Sequence, residues 1–128
     1  MAIRVVRLGT ARVRGEGTRI GTVRRPPRGV PKSRFAKDDW YDVWFPVLAP
    51  SVPAMKFAQS AATAATWATF VRRYRAEMVR PEAVHALNLL AALSHTTHFS
   101  VGCYCEDESH CHRSILRRLL IEHGARVI

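Results

Sequence analysis

Cys103, Cys105, Cys111, His112 and Arg113 stand close together in a chain that has no other cysteine. A thiolate attacks electrophilic centres, an imidazole moves a proton, and a guanidinium or a helix N-terminus binds an oxyanion. One chemistry for the group is therefore an oxyanion site. Cys105 or Cys111 is the nucleophile, His112 the acid or base, and Arg113 an anion ligand. The eight-residue step from Cys105 to Arg113 is not the Cys-x5-Arg loop of the cysteine-dependent phosphatases. A second chemistry is a metal site, since Cys103, Cys105, Cys111 and His112 supply the donor set of a zinc centre. Against it, Cys-x-Cys with an adjacent Cys-His is not the usual knuckle spacing, and adjacent residues rarely share one ion. No cofactor is expected, and zinc is the only candidate. A redox pair of Cys105 with Cys111, and plain packing of small buried thiols, are the remaining readings.

These residues need a strand and a helix to hold them. The apolar run Phe99–Tyr104 predicts a strand. Ile115, Leu116, Leu119 and Leu120 fall on one face of a helix whose other side carries Arg117, Arg118 and Glu122, and Gly124 marks its stop. The loop between strand and helix holds Glu106, Asp107 and Glu108, which repel a bound anion unless cations offset them. Arg24, Arg25 and Arg28 sit in a proline-rich loop and are the expected offset. If Arg19–Arg24 and Phe99–Tyr104 are neighbouring parallel strands, both loops leave the same sheet edge. Arg24 or Arg28 then faces Arg113 across a small cleft, or pairs with the acids when it is empty.

The rest of the chain reads as a framework. Ile3–Leu8 and Thr18–Arg25 predict strands, and Trp40–Leu48 an extended aromatic segment. Ser51–Met78 predicts one long helix with Ser51 as N-cap and with Trp67, Phe70, Val71, Tyr74 and Met78 on its buried face. Pro81 opens a helix over Glu82–Ser94, apolar nearly all round and so expected to be well buried. His85, His95 and His98 read as structural histidines. Ala125–Ile128 can add a last strand beside the first ones. Helices between strands imply a small α/β sandwich, its sheet mixed or mostly parallel and flanked by helices, as one domain over residues 1–128.

The charge is lopsided. Residues 1–37 contain eleven Arg/Lys and a single acid, Glu16, whereas the remainder balances. Such a surplus suits phosphorylated small molecules or nucleic acid. No apolar run spans a bilayer and no signal-like core opens the chain, so a cytoplasmic protein with no membrane partner is expected. Three clustered cysteines fit reduced thiols or a metal better than a disulfide framework.

Two stretches resemble a bacterial and archaeal family known as domain-of-unknown-function family 488. Cys103-Tyr104-x-x-Asp107-x-x-His110-Cys111-His112-Arg113-Ser114 is similar to its strand cysteine and Cys-His-Arg helix start. Val23-Arg24-Arg25-Pro26-Pro27-Arg28 is similar to its Asp-Val-Arg-x-x-Pro segment. Where many members carry Glu two residues after the first cysteine, this chain has Cys105; where many carry Asp before Val-Arg, it has Thr22. The resemblance implies a compact α/β domain with a shared site; if those acids transfer protons in relatives, this chain either uses Cys105 and Glu106 or does something else. The expected function is thiol-dependent hydrolysis or transfer on a phosphorylated or nucleotide substrate. Non-catalytic nucleic-acid binding by the basic third is the alternative.

Overall fold

The computed structural model describes residues 1–60 and 63–128. Four strands, β1 (Ile3–Arg7), β2 (Thr18–Gly21), β3 (Val43–Trp44) and β4 (Phe99–Cys103), form one sheet in the order β1-β4-β2-β3. Every pairing is parallel. Helices α1 (Val52–Ser60), α2 (Ala64–Glu77), α3 (Pro81–Leu93) and α4 (His112–Glu122) flank it, giving the small α/β architecture that the alternation of patterns implied.

β4 is the centre of the arrangement. All five of its residues, FSVGC, are buried, as expected of a strand with neighbours on both sides. A Cβ at Gly102 would lie 2.6 Å from Leu8 Cδ2 and 2.9 Å from Val6 O, so only glycine lets β1 come this near. The core joins Ile3, Phe99 and Val101 of the sheet to Phe70, Tyr74, Leu87, Leu116 and Leu120 of the helices. The four apolar residues assigned to the buried face of α4 are all buried.

Several expected boundaries shift. The chain leaves β2 at Gly21 instead of running on to Arg25, because Arg24 turns to donate to the carbonyls of Pro50 (3.1 Å) and Ala49 (3.0 Å). The aromatic segment pairs only at Val43–Trp44, then turns through a short 3-10 helix at Pro46–Leu48. The expected long helix is two helices. Ser51 does cap the first, its Oγ accepting from Ala54 N at 3.3 Å. Thr63 begins the second through a capping box with Thr66, and the part of the expected helix at 61–62 lies outside the described residues. α3 is not wholly buried either: Leu89 is 57% exposed and Leu93 39%. The final segment contributes one parallel bridge, Val127 to Ile3, in place of a strand.

Arg19, one of the eleven basic residues of the first 37, is not on the surface. It is fully buried and forms a two-nitrogen pair with Glu16, at 2.7 and 3.0 Å. Its Nη1 also donates to the carbonyls of Thr10 and Asp39, while Ser100 Oγ donates to the Glu16 carboxylate. One buried ion pair thus ties the β1–β2 loop, the segment before β3 and the central strand together.

Candidate functional site

In the sheet register Arg7 lies opposite Cys103, and Gly21 opposite Gly102. Parallel neighbours ending at one level send their following loops out over one edge, where ligands of open α/β sheets bind. A cleft of about 1110 Å³ opens there. Cys103, Cys105, Cys111 and His112 line it, and so do Arg24, Arg25 and Arg28. The proline-rich arginine loop and the thiol loop therefore share one cleft. Trp40, Trp67 and Tyr104 add aromatic surface to the same walls.

The three thiols are free and differ in access. Cys103, at the end of β4, and Cys111, the N-cap of α4, are buried, whereas Cys105 is exposed. Cys103 Sγ lies 3.8 Å from Cys105 Sγ, and Cys111 Sγ lies 3.8 Å from His112 Nδ1. Cys103 Sγ, Cys111 Sγ and a ring nitrogen of His112 all fall within 4.8 Å of one another. Such a trio can coordinate a zinc-like ion. His112 Nε2 is 2.8 Å from the Thr22 carbonyl, which can only accept, so Nε2 carries hydrogen. In neutral imidazole that leaves the Nδ1 lone pair for the thiol side.

Hydrogen bonds from Cys103 and Cys105, aided by His112, hold the Cys111 thiol acid, below its ordinary value and against the cost of burial. Cys103 moves the other way, because its hydrogen bonds with Cys105 and Cys111 and its burial all favour the neutral thiol. The cluster thus concentrates its first negative charge on Cys111.

Two expected site residues stand elsewhere. Arg113 is buried, its Nη2 donating to the Cys105 carbonyl and its Nε without a partner. Glu106 is exposed and lies 3.7 Å from Arg7. Neither lines the cleft among the described residues. The acids of the loop do find partners, but not in the arginine loop: Glu106 meets Arg7, Asp107 meets the His110 ring at 3.1 Å, and Glu108 forms a two-nitrogen pair with Arg117. Sequence reasoning passed over Arg7, which also lines the cleft. Its signal was its place at the carboxyl end of a strand that a parallel sheet sets beside Cys103. Thr22 was noted only as a departure from an acid, whereas its carbonyl orients His112.

The family model DUF488-N3a, described as "Active DUF488-N3 subclade", matches residues 3–124, and the chain belongs to this family. No curated protein and no solved structure matches it. No helix among the described residues is long and apolar enough to cross a membrane.

Proposed function

We propose that this member of the DUF488-N3 family carries out thiol-dependent hydrolysis or transfer on a phosphorylated small molecule, of which a nucleotide is the favoured class. The observation that carries the reading is the meeting, in one cleft, of a cysteine at the N-cap position of α4, beside an oriented histidine, with three arginines. In the reaction the Cys111 thiol gives its proton to His112 Nδ1. Its sulfur then attacks phosphorus, forming the S–P bond as the ester P–O bond breaks, and the leaving oxygen takes the proton from His112. Water, or an acceptor hydroxyl, then displaces the thiolate.

Arg25 and Arg28 are the anion ligands: both are exposed and, among the described residues, neither lies within ion-pair distance of a carboxylate. Arg24, already bonded to two carbonyls, sets the loop and adds charge. Arg113 acts through the backbone by fixing Cys105. Glu106, exposed, paired with Arg7 and outside the cleft lining, takes no step; His112 Nδ1, having given its proton to the leaving oxygen, takes one from the attacking water or hydroxyl. Trp40 and Tyr104, 5.9 Å apart edge to face, offer apolar surface for a base.

The test uses reduced, chelator-treated protein against a panel of phosphomonoesters that includes nucleoside monophosphates, with released phosphate as the readout. Turnover lost in Cys111→Ser, with KM raised in Arg25→Ala and Arg28→Ala, supports the reading. Absence of turnover across the panel, with steeply salt-dependent binding of an oligonucleotide instead, supports the nucleic-acid alternative.

A further inference from the structure

Three donors at the end of β4, Cys103 Sγ, Cys111 Sγ and a His112 ring nitrogen, lie within 4.8 Å of one another, and Cys105 Sγ, 3.8 Å from Cys103, stands outside that trio and has to swing in as the fourth. Zn–S and Zn–N bonds of about 2.3 and 2.0 Å in a tetrahedron put neighbouring donors about 3.5–3.8 Å apart. The Cys103–Cys105 and Cys111–His112 separations are both 3.8 Å, and Cys103, Cys111 and His112 form a closed trio. Adjacent residues seldom share an ion because their side chains diverge. Here Cys111 is extended (φ −129°, ψ 150°) while His112 begins α4, and that change of backbone brings Sγ and Nδ1 together.

Two features outside the ligands agree. His112 donates through Nε2 to the Thr22 carbonyl, the outer bond that metal-binding imidazoles use to fix the coordinating nitrogen. Three thiolates around a divalent ion also leave one negative charge over, which a buried site must balance. Arg113 is a buried cation held against the Cys105 carbonyl, and its Nε has no acceptor. No carboxylate within ion-pair distance accounts for it among the described residues.

We propose that Cys103, Cys111 and His112 Nδ1, completed by Cys105, bind one zinc-class divalent ion at the floor of the cleft, with Arg113 as its counter-charge. The inference does not rest on the transfer reaction. The two meet at one atom: an ion bound to Cys111 Sγ occupies the nucleophile, so the loaded protein is closed to thiol attack and the metal-free protein is open to it.

The experiment titrates zinc into reduced, metal-free protein in competition with a chromogenic chelator, and loads cobalt(II) in parallel. One equivalent of zinc should bind. Cobalt should show sulfur-to-metal charge transfer with the intense visible bands of tetrahedral coordination. Cys103→Ser and His112→Ala should each weaken zinc binding by at least about 100-fold, beyond what loss of an outer-sphere partner costs. Cys105→Ser should retain the ion with weaker charge-transfer absorption. Should the variants fail to fold, the wild-type cobalt spectrum decides. No stoichiometric zinc, a weak octahedral-type spectrum, or affinity unchanged in Cys103→Ser overturns the proposal. Phosphate release by the metal-free protein is scored apart and bears only on the reaction.

Discussion

Replacing Glu16 by Gln should cost more stability than breaking any of the more exposed ion pairs from one side. The carboxylate accepts from Arg19 through two nitrogens, from Ser100 Oγ at 2.6 Å and from Val13 N at 3.2 Å. Gln keeps the shape but leaves the Arg19 guanidinium, 0% exposed, without its counter-charge. Breaking a buried pair from one side costs about 3–5 kcal/mol. Titration gives a second route to the magnitude. Burial alone would raise Glu16, but the hydrogen bonds from Arg19, Ser100 and Val13 outweigh it and lower the carboxyl from 4.5 to about 2. A shift of that size corresponds to about 3 kcal/mol, in accord with the first figure. Because the folded value is depressed, this stability is complete above pH 4.5 and is lost as pH falls from 4.5 towards 2. Urea unfolding at a series of pH values should therefore show Glu16→Gln less stable than wild type by about 3 kcal/mol at pH 7, converging with it in acid. A difference under about 1 kcal/mol at pH 7, or one that does not shrink with acid, refutes the argument. Since Arg19 also holds the carbonyls of Thr10 and Asp39, next to Trp40, the variant should loosen a cleft wall as well.

Gly102→Ala should destabilise the central strand by about 1–3 kcal/mol, since its methyl would meet Leu8 and the Val6 carbonyl; the change in denaturation midpoint measures it. Arg24→Ala removes two charge-assisted bonds to the 49–50 backbone and should cost about 1.5–3 kcal/mol, again by denaturation. Iodoacetamide kinetics followed by intact mass should show Cys105, the exposed thiol of the three, alkylated before the buried Cys103 and Cys111, with that first modification gone in Cys105→Ser.

What the sequence displayed was local order around the site. An apolar run into a polar loop and an amphipathic helix defines β4 and α4, and Gly124 takes the positive φ of 94° at its end. The shared edge followed from topology, because alternating strands and helices imply parallel neighbours. Arg19 was hidden for a physical reason. Burial of an arginine depends on a partner, and Glu16 is the only acid in the first 37 residues, a signal readable only once a lone acid in a basic stretch is treated as a pairing demand. The break near residue 63 was masked by alanine, whose helix propensity runs across the Thr63-x-x-Thr66 cap. The exposure of Leu89 could not be read from composition, since α3 is apolar nearly all round and only packing chooses the face it turns away.

The acids of the thiol loop decide whether the cleft can hold an anion, and their pairing gives the sharpest test. Glu106, Asp107 and Glu108 would repel phosphate, yet Glu106 and Glu108 have cations of their own in Arg7 and Arg117, and Asp107 is hydrogen-bonded to Ser109 and His110. On the proposed reading, that leaves Arg25 and Arg28, which have no carboxylate partner among the described residues, for the anion. Arg117 stands apart because it does not line the cleft; the two-nitrogen bond it donates holds Glu108 ionised, below the usual carboxylate range, and turned onto α4. Arg117→Gln removes a cation that no bound anion would touch and releases an acid on the loop. Two unit charges about 8 Å apart at an effective dielectric of 20 interact by about 2 kcal/mol before screening, and salt leaves roughly half of it. Phosphate protection of the cleft thiols against iodoacetamide should therefore need about 3–10-fold more phosphate in Arg117→Gln than in wild type. Glu108→Gln added to that variant should restore it, since no carboxylate is then set free. If the double variant protects no better than Arg117→Gln alone, Glu108 is not what the cleft is being shielded from, and the electrostatic account of the loop fails.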